Sequence, residues 1–157
     1  MAGVGKTTLG KELSSVLHMP FIDTDELIEK QEGMSIPDIF CKYGEQYFRD
    51  KETEVVREVL LNHGQVVSLG GGAILREENR FYIRTNGIVC FVNRDLNNVD
   101  LKNRPLSKNI DNVKALFEER KKMYIDVSDF EVYNESINNS VKEIVENYEK
   151  NISTKWC

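Results

Sequence analysis

Paired cysteines, long apolar runs and an excess of basic residues are all missing from this 157-residue chain, and each absence removes a class of function. The three cysteines, Cys41, Cys90 and Cys157, are an odd number without a C-x-x-C pair, so they frame neither a disulfide scaffold nor a zinc site. A reducing cytoplasm is the expected compartment. No segment approaches the roughly 18 consecutive apolar residues of a membrane span, and the glycine-rich opening is not the basic-then-apolar pattern of an export signal. Lys and Arg number 21 against 26 Asp and Glu; a formal charge of -5 and a pI near 5.2 argue against nucleic-acid or membrane-surface binding. Small-molecule chemistry remains, in one domain over residues 1–157, because a 40% hydrophobic composition supplies a single core.

Helical and extended patterns alternate from end to end, which predicts an α/β fold with a parallel sheet covered by helices on both faces. Leu9, Leu13, Val16 and Leu17 recur at helical spacing over residues 8–17, and a short strand at 19–23 ends in Asp23-Thr24-Asp25. A helix at 25–30 follows, then Ser35 caps another that Gly44 stops near Tyr43. Phe48, Val55, Val56, Val59 and Leu60 outline a long amphipathic helix over 45–61, and 65–69 reads as a buried strand running into Gly70-Gly71-Gly72. Beyond a helix at 77–84 and a strand at 88–92, a polar stretch at about 93–112 is expected to be a lid. A helix at 112–124, a strand at 130–133 and a terminal amphipathic helix complete the chain, with 151–157 expected as a flexible tail. There is no internal repeat, and His18 and His63 read as helix-end residues.

The chemistry is concentrated in six short segments. Gly3-Val4-Gly5-Lys6-Thr7-Thr8 matches the second half of the phosphate loop G-x-x-x-x-G-K-[ST]. In that loop, backbone N–H groups and a helix N-terminus surround phosphate oxygens, the lysine reaches the β and γ phosphates, and the hydroxyl of Thr7 meets Mg²⁺. A simple glycine turn before a helix is the plainer alternative. The loop's first glycine would fall immediately before Met1 and its preceding apolar strand has no counterpart, so the sheet is expected to lack a central strand. A shortened chain, a piece of a longer polypeptide, or a strand supplied by another chain would each account for that.

Asp23 and Asp25 would share one side of an extended strand end, where one carboxylate can hold Mg²⁺ and the other can accept a hydrogen bond from an attacking hydroxyl. An N-cap with its dipole partner is the competing interpretation. Three consecutive glycines, Gly70, Gly71 and Gly72, are costly to order unless the backbone takes special angles or touches a ligand closely. Arg49, Arg104 and Arg120 each fit an ordinary surface role, yet a guanidinium fork suits a carboxylate or a transferring phosphoryl group.

Taken in order, G-x-G-K-T-T, F-x-D-x-D, G-E-x-x-F-R, G-G-G, R-P-L and R-x-x-x-Y form the motif series of the shikimate kinase family, which this chain resembles from Gly3 to Tyr124. The resemblance implies a P-loop, nucleoside-monophosphate-kinase-like fold whose family sheet has five parallel strands. It implies ATP-dependent phosphorylation of the 3-hydroxyl of shikimate in aromatic amino-acid biosynthesis. Residue by residue, it implies that Gly3, Val4, Gly5, Lys6, Thr7 and Thr8 bind ATP, with Thr7 and Asp23 holding Mg²⁺. Asp25 would bind and orient the hydroxyl, Arg49 and Arg120 would clamp the carboxylate, Gly70, Gly71 and Gly72 would line the substrate, and Arg104 of the lid would meet the phosphates. ATP and shikimate are thus the expected partners, with no nucleic acid or membrane, and a monomer is expected. A related small-metabolite kinase, such as one acting on gluconate, or a catalytically silent P-loop domain are the rival readings.

Overall fold

The computed structural model describes residues 5–93 and 110–155. The expected residues Gly3, Val4 and Arg104, and all but the ends of the expected lid, lie outside that range. The described residues divide into two compact units, Leu13–Gly87 and the remainder.

In the first unit the parallel strands β1 (Phe21–Asp23) and β2 (Val66–Ser68) pair in register, Phe21 with Val66, Ile22 with Val67 and Asp23 with Ser68. Asp23 also starts α2 (Thr24–Glu32), because its Oδ1 accepts from the N–H groups of Asp25 (3.1 Å) and Glu26 (3.5 Å). Gly33, at φ 67°, ends that helix in the left-handed conformation that favours glycine. Ser35 caps α3 (Ile36–Leu60) by accepting from the Asp38 N–H, with Pro37 in the first turn. Gly44, at φ 83° and ψ 171°, breaks the helical geometry inside α3, so the expected stop is a kink between two helical segments.

The core of this unit is the apolar stripe of α3 set against α2 and the strand pair. Ile28, Ile39, Phe48, Val55 and Val59 are buried together, with Ile22 and Val67 packed against them. Burying such side chains contributes about 1.5–3 kcal/mol each, which fixes α3 in rotation. Val66 and Val67 are only half-buried, in contrast to the fully buried strand expected from sequence, because β2 has β1 as its single strand neighbour among the described residues. A short 3-10 turn, Ala73–Leu75, follows the glycines and leads into α4 (Glu77–Thr85).

The second unit begins with Gly5 and the start of α1 (Lys6–Leu17), a helix that runs on into the first. Its parallel pair β3 (Cys90–Asn93) and β4 (Phe130–Tyr133) is flanked in sequence by α5 (Ile110–Val127) and α6 (Ile137–Lys155). Phe91 of β3 stacks on Tyr124 of α5, with centroids 5.2 Å apart. Residues 151–155 of the expected flexible tail belong to α6, and Lys155 pairs with Asp129 at 2.8 Å. Asp129 in turn accepts from the Val89 N–H at 2.7 Å, which ties the end of the helix to the entry of β3. Among the described residues the strands thus form two parallel pairs, one in each unit.

Candidate functional site

The register of β1 with β2 brings the residues just beyond both carboxyl ends together, the usual location of ligand sites in open parallel sheets. Thr24, fully buried, makes the junction: its hydroxyl donates to the Ser68 carbonyl (3.3 Å) and accepts from the Gly70 N–H (3.0 Å). Such a doubly bonded hydroxyl fixes the glycine segment relative to the start of α2. The backbone turns helical at Thr24, so Asp25 sits in the first turn of α2, and the expected extended pair of carboxylates does not form. The Asp25 carboxylate instead rests against Gly70, where a β-carbon would overlap its Oδ1.

Two of the three glycines, Gly70 and Gly72, are explained by close approach. None of the three has a positive φ, so special backbone angles are not the reason for them. A β-carbon on Gly70 would lie 3.2 Å from Glu52 Oε1, and one on Gly72 would lie 2.9 Å from Cζ and 3.0 Å from Nη2 of Arg49. Side chains from α2 and α3 thus converge on bare backbone.

Arg49 is largely enclosed, its side chain 15% exposed, with the guanidinium 5.2 Å over the Phe48 ring. Nη1 donates to Glu52 Oε2 at 2.8 Å, while Nε and Nη2 donate to Glu45 Oε1 at 3.3 and 3.2 Å. Glu52 is 1% exposed. Its pKa is raised, first by burial and further by the charge of Asp25, against the lowering effect of the Arg49 hydrogen bond. One guanidinium therefore faces two carboxylates of unequal cost: a buried one it must neutralise and an exposed one it can release. Thr53 donates to the Arg49 carbonyl, and Arg76, just after the 3-10 turn, donates to both Thr53 (3.2 Å) and Asp50 (2.6 Å). The turn that follows the glycines is thereby strapped to the helix that carries Arg49.

Glu52 and Thr24 were not singled out from sequence. Glu52 had a signal, since it falls between Phe48 and Val55, Val56 and Val59 on the buried stripe of α3, where a solvated carboxylate does not belong. Thr24 had none beyond its place between two aspartates.

In the other unit, Gly5 takes φ +84° and α1 begins at the next residue, so Lys6, Thr7 and Thr8 form its first turn. The Leu9 N–H already bonds the Gly5 carbonyl at 2.9 Å. The first turn of α1 contains no acidic residue of its own, and it is the positive end of the helix dipole. Arg120 lies four residues before Tyr124 on α5 and shares its face, so the Phe91 stack also sets the rotation of the helix that carries Arg120.

For Mg²⁺, the described residues contain no group of three or more His, Cys, Asp or Glu able to hold a metal. In a nucleotide site this ion keeps several waters and takes one or two protein oxygens plus phosphates. The hydroxyl of Thr7 and the carboxylate of Asp23 are hard oxygen donors of the right kind, although one Asp23 oxygen already caps α2.

A family model described as shikimate kinase matches residues 2–152. Among curated relatives, shikimate kinase from Sulfurihydrogenibium sp. is 45% identical over 128 residues, covering 78% of this chain and 77% of the relative. That from Caldanaerobacter subterraneus is 37% identical, with 94% of this chain and 92% of the relative covered. Among solved structures, shikimate kinase from Acinetobacter baumannii in complex with shikimate superposes with a TM-score of 0.89 at 30% identity, covering 95% of this chain and 89% of that one. The Aquifex aeolicus enzyme gives 0.84 at 38% identity, covering 96% and 94%. These likenesses establish the P-loop, nucleoside-monophosphate-kinase-like fold and an ATP-dependent kinase activity toward shikimate, and the chain belongs to the shikimate kinase family.

Proposed function

We propose that Asp25, Arg49, Glu52 and the backbone of Gly70, Gly71 and Gly72 form the shikimate subsite, and that residues 3–8 receive ATP. The observation that carries this is the enclosed Arg49, set against Gly72 and neutralising buried Glu52 while its other edge is held by the exposed Glu45. A substrate carboxylate can take the place of Glu45 on Nε and Nη2, one carboxylate exchanged for another, and gain two parallel charge-assisted bonds. Glu52 would stay beneath and keep the guanidinium in place.

Asp25 lies at the same strand ends and is the group suited to accept the proton of the substrate hydroxyl. As the oxygen attacks, its bond to the γ-phosphorus forms while the bond from that phosphorus to the β–γ bridging oxygen breaks. ADP departs and the hydroxyl proton passes to the Asp25 carboxylate. Lys6 and the N–H groups of the first turn of α1 would hold the phosphates, and Arg104 and Arg120 are assigned to phosphate and carboxylate respectively. Mg²⁺, held by Thr7 and Asp23, would neutralise charge on the β and γ phosphates. We further assign the chain to the cytoplasm as a monomer. Among the described residues no helix is long and apolar enough to cross a membrane.

ADP release by the purified chain with Mg·ATP, measured with and without shikimate, tests the reading. Shikimate-dependent ADP is expected, and Arg49→Ala should raise the KM for shikimate by about tenfold or more while leaving that for ATP within about twofold. An equal rise in both would remove Arg49 from the acceptor subsite.

A further inference from the structure

A buried amide at the carboxyl end of β4 has no part in the chemistry above. Asn134 is 4% exposed, and its backbone N–H donates to the Asn93 carbonyl at the end of β3 (2.8 Å), so the parallel pair fixes where it begins. Ser140, 1% exposed in α6, directs its hydroxyl at Asn134 Oδ1 from 3.2 Å. With the oxygen end turned to α6, the nitrogen end faces Gly5: a β-carbon there would lie 2.8 Å from Nδ2. The side chain cannot simply swing aside, because it is enclosed and anchored at its other end. Gly5, at φ +84°, is the hinge at which the loop becomes α1.

A loop that aims consecutive N–H groups at an anion turns its carbonyls outward, and outward carbonyls beside a buried surface need donors. A carboxamide brings two N–H donors without adding a negative charge beside the phosphates. We propose that Asn134 is a positioning residue for the nucleotide, its amide held by Ser140 and braced against Gly5 so that Gly5 and the first turn of α1 keep the conformation that receives the phosphates. This rests on the assignment of residues 3–8 to ATP.

The test is calorimetric binding of a non-hydrolysable ATP analogue with Mg²⁺, alongside thermal unfolding and the KM for shikimate. Asn134→Ala should weaken the analogue about tenfold, with the shikimate KM within about twofold of the parent. Asn134→Asp, the same shape without the donors and with a negative charge, should be weaker still, and Asn134→Thr, which keeps a hydroxyl donor, should recover part of the loss. Should Asn134→Ala not fold, Ser140→Ala keeps the amide but frees it, and a loss of about threefold is expected. Gly5→Ala combined with Asn134→Ala should cost less than the sum of the two, since the new methyl no longer meets the amide. Analogue affinity within about twofold of the parent in both Asn134→Asp and Ser140→Ala, whatever the melting temperature does, overturns the proposal. If the parent chain binds the analogue yet makes no shikimate-dependent ADP, the acceptor-site reading fails and this one stands. If the parent binds no analogue, both the phosphate-loop assignment and this inference fall.

Discussion

Gly72 presents its backbone to the guanidinium of Arg49 so closely that a β-carbon would lie 2.9 Å from Arg49 Cζ, inside the distance real side chains tolerate. Its own backbone, at φ −94° and ψ −8°, is open to alanine. Gly72→Ala should therefore leave the melting temperature near its parent value, since the entropy lost from the unfolded chain offsets part of the crowding. The methyl should instead push Arg49 out of place and raise the KM for shikimate by about tenfold, with the ATP analogue bound as before. A matching fall in stability with unchanged KM would mean that Arg49 yields without consequence.

Glu52 makes a pH signature available. Burial, helped by the charge of Asp25, raises its pKa above the unfolded value of 4.5, so in the window between the two values the folded state holds more of this proton than the unfolded state. By linkage, the contribution of Glu52 is at its most favourable below the unfolded pKa and is lost as pH rises toward the folded one. Subtracting the stability of Glu52→Gln from that of the parent at each pH should give a difference that falls with rising pH above about 4.5 and then levels. Equilibrium urea unfolding across that range is the measurement, and a difference that rises would show the Arg49 pair outweighing burial.

The contrast between these residues marks what could be read from the sequence. Asp25, Arg49 and the glycines came from motif order, and the fold brings them together at the ends of β1 and β2. Thr8 and Arg120 lie in helices of the other unit as expected, whereas α1 starts two residues earlier than expected, at Lys6. Repeating apolar residues located the helices, and the strand at 130–133 matches β4 residue for residue, because such patterns record which face is buried. Glu52, Thr24 and Asn134 escaped because each is buried by partners far away in sequence: Thr24 by Gly70, Asn134 by Gly5, and Glu52 by the approach of Gly70 over an arginine neighbour. Local propensity assigns such polar residues to the surface, and only tertiary pairing removes the penalty of enclosing them. The pairing of Lys155 with Asp129, 26 positions earlier, is likewise invisible to local pattern.

The two described cysteines should behave as different chemical species. Cys41 is exposed, whereas burial, followed by the nearby charges of Glu143 and Glu131, pushes the thiol of Cys90 up to about 12. Thiolate is the reactive form, and its fraction near neutral pH falls about a thousandfold when the pKa rises from about 9 to about 12, while greater intrinsic nucleophilicity recovers part of that. The net expectation is a rate roughly thirtyfold lower for Cys90, before any steric protection. In a Cys157→Ser background, a disulfide reagent should titrate one thiol quickly and the second only slowly or on unfolding. Two equally fast thiols would place Cys90 at the surface.

Asp23 carries two assignments that substitution can separate, a cap for α2 through Oδ1 and an oxygen for Mg²⁺. Asparagine caps a helix about as well as aspartate but offers no negative charge to the ion. Asp23→Asn should therefore melt within a few tenths of a kcal/mol of the parent yet need several-fold more Mg²⁺ for analogue binding and turnover, whereas Asp23→Ala should add a stability loss of about 1 kcal/mol. If the Mg²⁺ requirement is unchanged in both variants and only alanine destabilises, Asp23 is a cap and nothing more, and the metal must find its protein oxygen elsewhere. If asparagine shifts the requirement with the melting curve intact, one carboxylate serves both purposes, because each of its two oxygens has a separate task.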